Sequence, residues 1–474
     1  MLFSNPLPFI EDYTKELNRL LSISCADYQL SNIQRQWLAT CIMGIISTNT
    51  ICWSRFERAS LGQHQVGALS WMFCNSKLPW AQLLEHSTRA LMQAYDLREG
   101  VLAVDDSDRQ RAKVTKKLPT YRVYDKKTGG YFNGQTIVCV LLVTEHVTLP
   151  VGFDFYVPDP CLSEWKRAQK KLKKKGIARK KWPPKPQTDQ QKYPTKTQIA
   201  ARLLAEFRQS HPDFKVNAII GDNHYGSAQF MHDVSTQTCP QVVSVLKSNQ
   251  LVHHRGKKIS LADYFKNKPF EKTVIQIRGQ QDKTIWYCSA RLFVEAHGCK
   301  RMVIALHYDD QDKSETRYIV ATELSWRTLD IIRVFTFRWL IEVFFEDLKV
   351  YEGWGQLAKQ SHYDGSRRVL TLSLLLDHCL FFYGPNKTRL ENKQPAATVG
   401  SLTEHIRAQG LFECVQKLTQ QYPGGESSEA IAKLLHQQFK LHPSKKHMHG
   451  LSPGHQAPSP SLQRRFPSSS RLAA

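Results

Sequence analysis

The sequence predicts an α/β protein with an all-helical N-terminal region, and three observations carry that reading. Residues 1–99 place apolar side chains at helical spacing, as at Leu83, Leu84, Leu91 and Met92. From about residue 100, short apolar strand-like segments take over, and helix-period segments alternate with them. Residues 241–322 then read as β-rich throughout.

Taken in order, VLAVDD (101–106), TIVCVLLV (136–143) and LPVGFDFYV (149–157) are the first three strands. TIVCVLLV is apolar on both faces, as a sheet covered by helices on two sides requires. Residues 166–185 hold eleven Lys/Arg and no acid, and Pro183, Pro184 and Pro186 point to a mobile loop. A helix is expected at 197–209 and a buried strand, VNAIIGD, at 216–222. VVSVLK, TVIQIR, TIWYCSARLFVEA, RMVIALHY and RYIVATEL make up the β-rich stretch. One long apolar helix is expected over 329–350 and another over 368–382, before a Ser/Pro/His-rich tail. The organisation expected is therefore a helical region at 1–99, a first core segment at 100–240 carrying the basic loop 166–185, and a β-rich insertion at 241–325. A second core segment at 326–385, a C-terminal helical region at 386–441 and a disordered tail at 442–474 follow.

The formal net charge is +23. Residues 1–99 contain eight Lys/Arg and eight Asp/Glu, so the whole excess lies beyond them. Such an excess argues for a polyanionic partner, nucleic acid being the commonest. The eleven cysteines form no C-x2-C pair, which suits reduced thiols in a cytosolic protein and argues against a structural zinc site. No cationic secretory leader opens the chain, and the most apolar stretch, 37–53, is broken by Thr, Ser and Asn. A soluble protein without a membrane partner is expected.

Three places put acids where chemistry would use them. Asp105–Asp106 end the first strand, and Asp222 ends AIIGD just before a turn. Ligand sites in α/β sheets gather at such carboxyl ends. Taken singly, each Asp reads more readily as an N-cap or turn residue. The third place is IIRVFTFRWLIEVFFEDLKV, where Arg338, Glu342 and Lys349 interrupt an apolar run. At 100° per residue they fall within an arc of roughly 40°, with Phe335 on the same stripe. A helix apolar all round would bury these charges, at several kcal/mol unless they meet partners. A buried salt-bridge ladder is the structural alternative.

F-x2-R-x3-E-x6-K at 335, 338, 342 and 349 resembles the Y-x2-R-x3-E-x6-K signature of the IS-four family of bacterial insertion-sequence transposases. D-D-S at 105–107 is similar to that family's first acidic motif, and G-D-x2-Y-G at 221–226, which includes Tyr225, to its second. The resemblance, over roughly 100–385, implies an RNase H-like catalytic core interrupted by a β-rich insertion. It implies cut-and-paste DNA transposition through a hairpin intermediate. Asp106, Asp222 and Glu342 would be the catalytic, metal-binding acids, with Asp106 preferred to Asp105 because the family's acid directly precedes the Ser/Thr. Two Mg²⁺ about 3.5–4 Å apart would align nucleophile and leaving oxygen, with Mn²⁺ able to substitute. Arg338 and Lys349 would hold phosphates of the DNA end, while Phe335 would lose the contact that a Tyr hydroxyl makes. Lys170, Lys171, Lys173, Lys174 and Lys175 of the basic loop would track the DNA backbone. The partners implied are double-stranded DNA, as element ends and target, and a second copy in a synaptic homodimer. The N-terminal helices would help recognise the ends, and the setting would be the bacterial cytoplasm; Trp286 or Trp326 could receive an unstacked base, but core packing is the more natural reading of both. A nuclease without joining activity and a non-catalytic DNA-binding derivative are the alternatives.

Overall fold

The computed structural model describes residues 6–60, 62–111, 120–125, 128–277, 282–308, 316–355, 362–421, 429 and 432–433. Two compact units divide the chain, Leu2–Phe412 and Glu413–Ala474 with Met1. In the second unit the described residues are helical, and the tail expected at 442–474 lies outside them. The rest of this description concerns the first unit.

Five helices precede the sheet: α1 (Pro8–Ser24), α2 (Asn32–Thr48), α3 (Trp53–Ala59), α4 (Val66–Asn75) and α5 (Trp80–Ala94). The Ser31–Gln34 capping box starts α2, whose central residues from Trp37 to Ile46 are buried. That explains the apolar stretch seen in the sequence as a core helix. Among the described residues no helix is long and apolar enough to cross a membrane.

The sheet has twelve strands: β1 (Glu99–Gln110), β2 (Tyr121–Tyr124), β3 (Tyr131–Val143), β4 (Thr148–Tyr156), β5 (Lys215–Gly221), β6 (Val242–Leu246), β7 (Leu251–His254), β8 (Lys257–Ser260), β9 (Glu271–Ile275), β10 (Lys283–Val294), β11 (Cys299–His307) and β12 (Arg317–Ala321). β3 pairs antiparallel with β1 and with β4, while β5 runs parallel to β1 and β6 parallel to β5. The first strand of the expected insertion, β6, is thus a neighbour of β5. β12 returns beside β6, and β11 and β10 extend the same sheet.

Helices cover both faces, as the all-apolar β3 requires. On one face α7 (Lys196–Ser210) and α8 (Ala228–Gln237) bring Leu204, Phe207, Phe230 and Met231 onto Leu102, Val104, Val138 and Ile219. On the other, α10 (Thr328–Thr336), α11 (Trp339–Val350) and α12 (Tyr363–Cys379) bring Ile331, Ile341, Leu348 and Leu370 onto Val101, Ala103, Cys139 and Ile220. Each fully buried aliphatic of this kind contributes roughly 1.5–3 kcal/mol, so the sheet face on which a β1 residue lies is firmly fixed.

Two expectations are corrected. The basic segment 166–185 is largely helical: α6 (Pro160–Lys174) is followed by a 3₁₀ turn, Arg179–Lys181. Asp159 caps α6 by accepting from the amides of Cys161 and Leu162, and Pro160 sits where a helix tolerates it. The other prolines come after the helix and stop nothing. Trp165 then donates to the carbonyl of Pro183 (2.9 Å) and Trp182 to that of Ile177 (2.8 Å), folding the segment back on itself. The helix expected over 329–350 is two helices, α10 and α11, because the chain tightens at the junction through the Arg338 N–H to Phe335 carbonyl bond. Nor is it apolar all round: Trp339 and the Glu342 side chain are 40% and 45% exposed.

Candidate active site

Strand alternation decides where the β1 acids point. Val101 and Ala103 lie on the α10–α12 face, Leu102 and Val104 on the α7–α8 face. No bulge interrupts the β1–β3 register from Val101 to Gln110. Asp105 therefore faces α11, and Asp106 faces α7. Asp106, the acid expected from the sequence, meets a cation on that face. Lys196, at the first turn of α7, holds its carboxylate at 2.6 Å in a largely buried ion pair. The Thr195–Gln198 capping box fixes that turn. Asp106 contributes its backbone instead, its N–H donating to Asp105 Oδ1 at 2.7 Å.

Asp222 follows Gly221, which is in register with Val104, so Asp222 comes beside Asp105 on the same face as Ile220. Its carboxylate accepts from the His224 amide (2.8 Å), and its carbonyl accepts from the Ser244 hydroxyl (2.6 Å). Both glycines of G-D-x2-Y-G are sterically required. A Cβ on Gly221 would meet Tyr225 at 2.8 Å, and one on Gly226 would meet the Val245 carbonyl oxygen at 2.6 Å. Tyr225 itself is fully buried beside Phe230, its hydroxyl without a hydrogen-bond partner among the described residues. Burial, then the charges of Asp106, Asp105 and Asp222, raise its pKa far above the usual phenol range.

Glu342 lies in the first turn of α11, where the helix dipole favours a carboxylate. Arg338 bonds it at 2.7 Å, one helical turn earlier. Arg338 also acts on Asp105, whose carboxyl is pushed up to about 7. Burial is the main cause and repulsion from Asp222 the next, while the Asp106 N–H and Arg338 pull the other way. The fold thus brings Asp105, Asp222, Arg338 and Glu342 to one end of one sheet face. Among the described residues, no three His, Cys, Asp or Glu side chains stand close enough to hold one ion. Glu342 is engaged by Arg338. Hard oxygen donors beside one guanidinium nevertheless suit Mg²⁺, and a carboxyl whose ionisation is disfavoured by burial and then by Asp222 is one a divalent cation would relieve.

The other expected residues are placed differently. Lys349 lies over the ring of fully buried Trp354 (5.9 Å to the centroid), and Arg109 over the same ring (5.5 Å). Phe335 is a core residue at 5% exposure. Lys170, Lys171, Lys173, Lys174 and Lys175 are exposed along and just after α6 and form no ion pair among the described residues. Both roots of this arm, Tyr156 and Lys196, lie beside Asp108 and Asp106 on the α7 face of the sheet: Tyr156 pairs with Thr136, which pairs with Asp108. Trp286 stacks on His307, and Trp326 packs against the α10–α12 core. Sequence reasoning missed Lys196 and the exposed Trp339. An Asp doublet on a strand does signal that one acid faces away and needs a cation, but not which lysine supplies it.

The chain belongs to the DDE superfamily endonucleases: that family model matches residues 30–268, a little over half of its length. The match takes in Asp105, Asp106 and Asp222 and ends before α11. Endonucleases of this superfamily generally use divalent metals. Among solved structures the chain is similar to the piggyBac transposase in its synaptic complex with hairpin DNA. That similarity has a TM-score of 0.41 and 10% identity over 98% of this chain and 90% of that one. It is also similar to the Drosophila P element transposase strand transfer complex, with a TM-score of 0.23 and 9% identity over 86% of this chain and 91% of that one. No curated protein matches.

Proposed function

We propose that the protein is a cut-and-paste DNA transposase in which Asp105, Asp222 and Glu342 hold two Mg²⁺, with Asp105 in the place first expected of Asp106. The observation that carries this reading is the convergence of Asp105 and Asp222, from neighbouring parallel strands, on the face that α11 supplies with Arg338 and Glu342. The order β4-β3-β1-β5-β6, antiparallel in its first three strands and parallel in its last three, supports an RNase H-like core. When bound, the metal pair supplies an activated nucleophile and neutralises charge on the leaving oxygen. The chain's own residues do the positioning. Arg338 is placed to leave Glu342 for a DNA phosphate once a cation takes the carboxylate, and Lys349 serves a second phosphate. Trp339, exposed one residue beyond Arg338, is suited to receive the base unstacked in a hairpin step. The exposed lysines of the α6 arm would track the DNA backbone. Joining two ends to a target requires two copies, hence a synaptic homodimer, as in the IS-four transposases of bacteria.

The test is a cleavage assay on DNA carrying the gene's own flanks, with wild type and Glu342→Ala in Mg²⁺ and in Ca²⁺. Hairpins and joined products that need Mg²⁺ and vanish in the variant are the expected outcome. Nicks without joining would favour the second reading, a nuclease, to which the family's description as an endonuclease gives weight. DNA binding with no metal-dependent cutting would leave a non-catalytic derivative.

A further inference from the structure

The β2–β3 hairpin reaches past the catalytic end of the sheet, and its two faces differ. On the α7 side Val123 is buried, and the Tyr121 hydroxyl is hydrogen-bonded to Thr136, which is bonded in turn to Asp108. On the opposite side Arg122, Tyr124 and Tyr131 project into solvent. Tyr124 and Tyr131 are cross-strand partners with ring centroids 5.2 Å apart, edge to face, and the Arg122 guanidinium lies 5.2 Å from the Tyr131 ring. The two rings nonetheless remain 52% and 53% exposed.

The face they occupy is the catalytic one. Tyr131 shares a side of β3 with Ile137 and Cys139, and Cys139 is the β1-register partner of Asp105. Eight residues of strand separate Tyr131 from Cys139, about 26 Å at roughly 3.3 Å per residue. Of the described cations between residues 109 and 134, Arg109 and Arg111 are buried and Arg122 is exposed, and the chain as a whole carries a formal net charge of +23. Tyr and Arg also serve protein interfaces, and it is the position of this group on the Asp105 face of a strongly basic chain that favours nucleic acid. Duplex DNA offers phosphates but no free ring faces. An unpaired strand offers both, and base stacking on aromatic side chains contributes about 1–3 kcal/mol per base.

We infer that Arg122, Tyr124 and Tyr131 form a stacking platform for an unpaired DNA strand that leaves the acid site along the outside of the β2–β3 hairpin. The inference rests on the reading that DNA occupies the Asp105 face. The platform binds bases through the tyrosine rings and the adjoining phosphates through Arg122, and it takes no part in the chemistry.

The experiment compares a blunt duplex with the same duplex carrying an oligo-dT tail, by fluorescence anisotropy in EDTA with the full chain. The tailed duplex is expected to bind about tenfold more tightly to wild type. Tyr124→Ala with Tyr131→Ala should abolish that excess while blunt-duplex affinity and its salt dependence stay unchanged. Replacing both with Trp should preserve the excess, and unaltered melting temperatures would show that the variants fold. Equal affinity of wild type for the two DNAs, or an excess that survives in the double-Ala variant, would overturn the platform. EDTA separates the two readings. A protein that prefers tails but never cuts refutes the transposase alone, and one that cuts without preferring tails refutes the platform alone.

Discussion

Two groups of carboxylates pack against α11, and they are built on opposite terms. At its N-terminal end Asp105, Asp222 and half-exposed Glu342 gather around Arg338. Beyond its C-terminal end Glu352 and Asp377 meet in the core, 0% and 6% exposed. Burial, with repulsion from Asp377 and Asp347, pushes Glu352 well above the carboxylate range, and burial takes Asp377 up to about 7. No basic group figures among the charges acting on that pair. One cluster reaches solvent through half-exposed Glu342 and already contains a guanidinium, the setting in which a divalent cation is proposed to enter. The other is sealed, and a proton is its remedy, since burial and the neighbouring Asp377 favour the protonated form of Glu352. A cluster of acids becomes a site only where water and a ligand can reach it.

The largest effect that tests this contrast separates neighbours on one strand. Asp105→Asn should cut Mg²⁺-dependent cleavage on the order of 10³-fold or more while leaving DNA binding intact. Asp106→Asn should cost less than about tenfold, since it strips Lys196 of a partner on the other face. Equal losses in a single-turnover assay would break the assignment by strand face.

A second, smaller effect follows from the carboxyl of Asp105, raised to about 7. A cation must displace its proton. Mn²⁺ affinity, followed by calorimetry, should therefore rise by roughly tenfold per pH unit below about pH 7 and level off above it. Glu352→Gln should leave that profile alone, and a profile that moved with it would tie the two clusters together.

These distinctions were partly legible in the sequence. The α/β class, the two-sided burial of TIVCVLLV and the helical start follow from apolar periodicity, which the covering helices enforce. Arg338, Asp222 and Glu342 could be singled out because charges at strand ends or in an apolar run demand a reason. Asp105 and Asp106 could not be ranked, because an alternating pattern gives two faces without saying which helix covers each. The 166–185 segment was misread because prolines lying after a helix look, in sequence, like prolines that break one. The β-rich stretch was recognised as β, but its pairing with β6 depends on contacts far apart in the chain. The Glu352–Asp377 pair left no trace, since neither acid stands in a motif.

The smallest effect probes the sealed pair through stability alone. Both acids bind protons more tightly in the folded chain than in the unfolded one, so the stability present below about pH 4 is eroded as pH rises, for Asp377 through about 7. Wild type should accordingly melt a few degrees lower at pH 8 than at pH 5. Glu352→Gln keeps a donor for Asp377 and removes the proton that must be lost, so it should flatten this dependence and raise the melting temperature at pH 8. Asp377→Asn should do the same by a different route, sparing Glu352 its nearest negative neighbour. If both amides instead lowered the melting temperature at every pH, the pair would be making a hydrogen bond that its charge does not penalise. The contrast between an acid cluster proposed to take a metal and one that holds a proton would then fail on its sealed side.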